Sequence, residues 1–159
     1  MRYQMQDKLF TLGRNYTIAD QDGTPRFQVQ SKVLSLGRHL AFSDLAGNEL
    51  ATIQQRIIAF RPTYDITRAG VELAEVKKRL SLLAEKFTID IPGPHDYTVQ
   101  GNILNREYSF SRDGQQIAQV SKKWFSLTDV YGVDITPGED DVLILASTVV
   151  IDLINEDSK

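Results

Sequence analysis

Polar and apolar residues alternate along most of this chain, and turns that carry a glycine interrupt the alternation at a nearly constant interval. The glycines at positions 23, 47, 70, 93 and 114 are spaced by 24, 23, 23 and 21 residues. From Gly47, the residues Leu50, Ala51, Ile53 and Arg56 follow at offsets of three, four, six and nine, and Ile57, Ile58, Ala59 and Phe60 come next. The same offsets from Gly70 give Leu73, Ala74, Val76 and Arg79, and from Gly114 they give Ile117, Ala118, Val120 and Lys123. Weaker copies begin at Gly23 and Gly93, and Lys8 to Leu12 match the tail of the unit. A fixed period of this length signals an internally repeated fold, here with repeats of about 23 residues.

Each unit reads as two strands joined at its glycine. Asp20-Gln21-Asp22-Gly23, Asp44 to Asn48 and Arg112-Asp113-Gly114 supply the positive-φ residues of tight hairpins. Before the turns, Leu40 and Phe42, Tyr64 and Ile66, Phe87 and Ile89, and Tyr108 and Phe110 recur with period two, the mark of a half-buried strand. Val71 to Leu83 is rich in Glu, Ala, Leu and Lys and would favour a helix by propensity. Its register within the repeat assigns it to strands instead.

The units sum to eleven or twelve strands in a meander, which must curl or close to hide its edges. A barrel that wide cannot be filled by its own side chains. The last segment supplies a plug. Val142 to Ala146, Val149 to Ile151, Leu153 and Ile154 leave only Ser147, Thr148 and Asp152 as polar interruptions, behind a Pro137-Gly138 break and the acidic run Glu139 to Asp141. This predicts a helix over about 140–155, apolar all round and therefore buried. Val142 to Ile154 is thirteen residues, too short at ~1.5 Å each to cross ~30 Å of hydrocarbon. No transmembrane span is expected. Asp152 is either a buried carboxylate that needs a partner or must stay protonated, or, on the simpler reading, lies near the helix's exposed end. The chain, 1–159, reads as a single mainly β domain: a closed antiparallel barrel around a C-terminal helix.

Composition narrows the function classes. The hydrophobic fraction of 42% and charged fraction of 25% are those of an ordinary globular protein. With no cysteine, disulfides, thiolate metal sites and cysteine nucleophiles are excluded. Met1 to Leu12 lacks the features of a signal peptide, so a cytoplasmic location, peripheral to a membrane in the lipid-binding reading, is the expectation. The net charge of −3 gives no global attraction to nucleic acid or anionic membranes. No nucleic-acid partner is expected.

The stretch Ser121-Lys122-Lys123-Trp124-Phe125-Ser126-Leu127, followed by Asp129, Tyr131, Val133, Asp134 and Ile135 and then an acidic start to an apolar final helix, resembles the LURP-one-related family, whose relatives are tubby-like domains and phospholipid scramblases. The resemblance covers essentially the whole chain. It implies twelve strands around a C-terminal helix, and through the tubby-like relatives it suggests phosphoinositide headgroups as ligands. The cysteine-bearing, proline-rich extension of the scramblases has no counterpart here.

Catalytic chemistry has little to stand on. His39 and His95 fall at unrelated positions, without the neighbouring groups that a metal site or a base requires. No Gly-x-Ser-x-Gly, phosphate loop or dinucleotide fingerprint is present. Asp20, Asp22 and Gly23 read as a turn and not as a calcium loop. Neither catalytic nor metal-binding residues nor a cofactor are expected, and an enzyme is the minority reading.

The repeat offers one constellation. Lys8, Lys32, Arg56, Arg79 and Lys123 are equivalent positions and, with Lys78 and Lys122, would return to one rim of the barrel, interrupted at Asn102. The simpler reading is solvated strand-end charge that blunts association. The functional reading is a cationic ring holding a phosphate-bearing headgroup. The function expected is a non-enzymatic binding or scaffold module for anionic phospholipid headgroups. The alternatives are a protein-interaction domain or a carrier of small hydrophobic ligands within the barrel.

Overall fold

In the computed structural model the described residues are 1–10, 13–32, 36–79, 85–125 and 129–158, with side chains described for all of these except 8–10, 13 and 14. Twelve strands precede one helix: β1 Arg2–Phe10, β2 Gly13–Asp20, β3 Pro25–Ser31, β4 His39–Asp44, β5 Glu49–Gln55, β6 Thr63–Arg68, β7 Val71–Arg79, β8 Lys86–Asp90, β9 Tyr97–Asn102, β10 Glu107–Arg112, β11 Gln115–Ser121, β12 Val130–Ile135 and α1 Asp141–Asp157. Each strand pairs antiparallel with its chain neighbours, and β1 closes the barrel against β12 with Arg2 opposite Asp134 and Gln6 opposite Val130. The N-terminal ammonium donates to the Ile135 carbonyl at 2.6 Å across this seam.

The turns follow from local chemistry. Asp20 Oδ1 accepts from the amides of Asp22 and Thr24, both at 3.0 Å, and Asp44 Oδ1 accepts from those of Ala46 and Asn48 at 3.0 and 2.9 Å. These carboxylates replace backbone partners while Gly23 and Gly47 take positive φ. The hairpins at Ala69-Gly70 and Asp113-Gly114 have two successive positive-φ residues (50° and 78°, 51° and 79°), the requirement of a type I′ turn. Val71–Arg79 is a strand, as its register requires. The helical propensity of this stretch yields to Ala74 and Val76, which become fully buried by lining the barrel.

Inward side chains are large on most strands, including Tyr16, Ile18, Phe42, Tyr64, Ile66, Phe87, Phe110 and Tyr131, and all of these are essentially inaccessible. They still need the helix to meet one another. Leu143 to Asn155 are buried without a break, so the barrel interior is occupied by α1. The helix runs to Asp157, two residues beyond the predicted end. Asp140 caps it by accepting from the Leu143 amide at 3.1 Å.

Arginines reaching in from the wall hold the helix at both ends. Near its start, Arg112 grips Glu139 through two bonds of 2.6 and 2.7 Å, and Tyr3 Oη donates to Asp141 at 2.5 Å. Near its end, Arg38 reaches Asp157 at 2.8 Å and the Leu153 carbonyl at 3.4 Å. The last turn of α1 has no basic residue of its own, so Arg38 supplies the cation that the negative end of the helix dipole favours.

Asp152 corrects the simpler reading. It is only 5% exposed, because the helix continues past it and β12 covers it. Tyr131 Oη donates to Asp152 at 2.5 Å, and Arg106 meets both carboxylate oxygens at 3.2 and 3.4 Å while also approaching Asp7 at 3.9 Å. The Arg106 guanidinium also lies 4.3 Å from the Tyr131 ring centroid. Burial opposes the charge on Arg106, but Asp152 and Tyr131 outweigh it and its pKa is raised. Burial, assisted by the Asp152 charge, also pushes the Tyr131 hydroxyl well above the ordinary phenol range.

Two outcomes follow. Asp152→Ala leaves the partly buried Arg106 guanidinium with only the more distant Asp7 and should lower stability by about 1–3 kcal/mol in chemical denaturation. Replacing both partners, Arg106→Met with Asp152→Leu, should recover much of that loss. A single-variant cost near zero would show that the cluster does not hold the helix. Because Tyr131 and Tyr108 both have raised pKa values in the folded state, their contribution is whole below the unfolded tyrosine pKa of about 10 and is lost as pH rises above it. Tyrosinate absorbance from these two should therefore appear together with alkaline unfolding, not before it.

Candidate functional site

Strict antiparallel order sends the connections β1–β2, β3–β4, β5–β6, β7–β8, β9–β10 and β11–β12 to one end of the barrel. The helix C-terminus emerges at that end, beside Arg38. This is the rim on which the sequence places its basic ring.

The structure treats the ring members differently. The side chain of Lys8 lies outside the described residues. Lys32 pairs with Glu49 at 3.4 Å and Lys78 with Glu85 at 3.3 Å. Lys122 and Lys123 are exposed on the β11–β12 connection, four strands further round the wall from β7. Their backbone amides donate to Glu107 and Ser121 at 3.0 and 3.1 Å. Arg56 and Arg79 alone among these residues share one cleft.

That cleft has a volume of about 430 Å³ and lies between the β5–β6 connection and the outer face of β7 and β8. Its cations are Arg56, Arg61, Lys77 and Arg79, its carboxylates Glu75 and Asp90, and its apolar edge Ile58, Ala59 and Phe60. A second hollow of about 320 Å³ continues past Arg79 to Lys86, Thr98 and Gln100, and Arg79 and Thr88 line both.

The electrostatics divide the cations into two classes. Arg56 binds Asp65 through two bonds at 2.9 and 3.0 Å and Glu75 at 2.7 Å, and Lys77 bridges Glu75 at 2.6 Å and Asp90 at 3.2 Å. Hydrogen bonding to Asp65 raises the pKa of Arg56, and hydrogen bonding to Glu75 raises that of Lys77. The oxygens of Asp65, Glu72 and Glu75 lie within 4.8 Å of one another, and Arg56 and Lys77 balance this acidic patch. Arg61 and Arg79, by contrast, have no carboxylate partner among the described residues. At the floor between them Thr88 is 8% exposed, although it points outward between the inward Phe87 and Ile89. Its Oγ1 is buried with no hydrogen-bond partner among the described residues.

The β5–β6 connection is anchored at its base. The Arg56 amide donates to the Thr63 carbonyl at 2.9 Å, Thr63 Oγ1 donates to the Arg61 carbonyl at 2.9 Å, and the Lys78 amide donates to the Pro62 carbonyl at 3.2 Å. Sequence reasoning missed Arg61, Lys77 and Thr88. The available signal was Ile57-Ile58-Ala59-Phe60, four apolar residues in a row where a half-buried strand should alternate.

Elsewhere on the wall, the Trp124 segment packs onto β12. A Cβ at Gly132 would stand 2.5 Å from Trp124 Cε3 and 2.9 Å from Phe125 Cε2, and the Arg2 guanidinium lies 4.1 Å from the Trp124 ring. Glycine at 132 lets both rings lie on the strand.

Removing Arg79 or Arg61 should change stability by less than about 0.5 kcal/mol. Arg56→Ala leaves Asp65, Glu72 and Glu75 facing one another and should cost up to about 1 kcal/mol at low salt, falling as salt is added. Equal costs for Arg56→Ala and Arg79→Ala would contradict the division into paired and available cations.

Comparison with known proteins agrees with this architecture. An X-ray structure of a protein from Arabidopsis thaliana superposes with a TM-score of 0.68 at 18% identity, covering 99% of this chain and 92% of that one. The uncharacterised protein YxjI of Bacillus subtilis (strain 168) is 30% identical over 100 residues, 62% of this chain, and the match spans 59% of that protein's length. The sequence profile of the LURP-one-related family matches residues 1–152, and the chain belongs to that family.

Proposed function

We propose that the protein is a non-enzymatic binding module that recognises the phosphate of anionic phospholipid headgroups at a membrane surface. The observation that supports this reading is the pair Arg61 and Arg79, uncommitted to any described carboxylate, on a cleft whose floor holds the unpartnered Thr88 hydroxyl. Guanidinium groups bind phosphate oxygens in a bidentate fashion. Arg56 and Lys77 frame the cleft but are balanced by Asp65, Glu75 and Asp90. The ring inferred from the sequence is thereby narrowed to one arc. In this reading Lys32, Lys122 and Lys123, with Lys8, add long-range attraction to an anionic surface and not direct contact.

No helix among the described residues is long and apolar enough to cross a membrane, which suits a peripheral mode. The carrier alternative gains no support from the interior, where Leu143 to Asn155 of α1 are all buried.

Co-sedimentation with phosphatidylcholine vesicles, with and without phosphatidylserine, tests the proposal. The wild type should bind only the anionic vesicles and be released by salt. Arg61→Ala with Arg79→Ala should weaken binding roughly thirtyfold, at about 1 kcal/mol per cation near the surface. Lys122→Ala with Lys123→Ala should weaken it less. Equal affinity for neutral and anionic vesicles, or no effect of the Arg61 and Arg79 changes, would reject the reading.

A further inference from the structure

We infer that the β5–β6 connection is an insertion tip that enters the interfacial layer of a lipid bilayer, so that the protein stands on the membrane with the C-terminal end of α1 facing it. This rests on the headgroup reading above and adds the membrane's hydrocarbon as a second, apolar contact.

Ile58 is 96% exposed, Phe60 93% and Ile57 60%. Leu36, 83% exposed, belongs to the adjoining β3–β4 connection, where a Cβ on Gly37 would come within 3.2 Å of Ile57. Four large apolar side chains on two adjoining connections are thus exposed to water, while the described core closes around α1. A contiguous exposed apolar patch of this kind marks an interaction surface.

Charge identifies the partner. The run from residue 57 to 62 contains no carboxylate, is bounded by Arg56 and Arg61, and stands over Arg79. An apolar tip with arginines set just behind it matches a bilayer interface, where acyl chains lie beneath a layer of phosphates. The base of the connection is anchored through Thr63 and Lys78, so insertion requires little ordering of the chain. Ile58 and Phe60, almost wholly exposed beside a cleft of arginines, suit a medium that closes around them.

The chain has no cysteine, so Ile58→Cys gives a single attachment point for an environment-sensitive fluorophore. Leu45→Cys, in the β4–β5 turn at the opposite end and 50% exposed, is the reference. With phosphatidylserine-containing vesicles, the label at position 58 should shift to the blue and be quenched by spin labels on the acyl chains, while the label at position 45 stays aqueous. In unlabelled protein, Ile58→Ser with Phe60→Ser should weaken vesicle binding roughly tenfold or more. The same change should leave binding of water-soluble, short-chain phosphatidylserine unaltered.

If vesicles sediment the protein while position 58 stays aqueous, insertion is overturned and headgroup recognition survives. If the serine variant binds vesicles as tightly as the wild type, insertion falls and the tip belongs to a protein partner. Equal losses for vesicles and the soluble lipid would mean that the tip only shapes the cleft. Failure of the wild type to bind anionic vesicles at all would remove both readings.

Discussion

A twelve-stranded barrel encloses more space than side chains projecting from its own wall can fill. Everything else in this structure answers to that constraint. The answer is α1, buried from Leu143 to Asn155, whose apolar surface all round substitutes for the second layer that an open sheet would find in a facing sheet or helix. The wall and the plug are therefore one core. Neither can bury its apolar residues alone, and the seam between β1 and β12 closes on the same cluster of side chains that the helix completes.

An apolar helix in an apolar tube has no preferred height or rotation, because dispersion contacts are only weakly directional. Polar groups supply the missing specificity. Arg112 and Tyr3 engage the acidic residues around the helix start, Arg38 engages its last turn, and Arg106 with Tyr131 engages Asp152 partway along. A buried ion pair adds little net stability compared with well-packed apolar groups, but mismatching one is costly. Asp152 thus acts as a register key, since a helix shifted by a turn would take its buried carboxylate away from Arg106 and Tyr131.

How much of this was legible in the sequence depends on range. Alternation, turn chemistry and the spacing of glycines report interactions within a few residues, so the strands, the hairpins and the helix start could be read directly, including β7 against its own helical propensity. The plug was legible because apolarity on every face admits few environments. The environment of Asp152 was not, since its partners Arg106 and Tyr131 lie 46 and 21 residues away and nothing local specifies them. Which rim cations are available was hidden for the same reason. Equivalent positions do reach the same end of the barrel, but whether a cation is available depends on which carboxylates stand on neighbouring strands. Asp65, Glu75 and Asp90 take up Arg56 and Lys77, whereas Arg79 finds none among the described residues.

Filling the interior has a consequence for where function can reside. Many barrels bind ligands inside, at the mouth or in the lumen, and here that volume belongs to the helix. Recognition is displaced to the outer wall and to the loops at the rims. The turns at the helix's N-terminal end are tight and largely polar, governed by Asp20, Asp44 and paired positive-φ residues. The longer connections gather at the other end, and there the β5–β6 connection places Ile58 and Phe60 in water over an arginine-bearing cleft. Among the exposed large apolar residues of the described chain, Ile58 and Phe60 are the two most fully in water. Their position beside the arginines of the cleft is what the proposed membrane contact rests on.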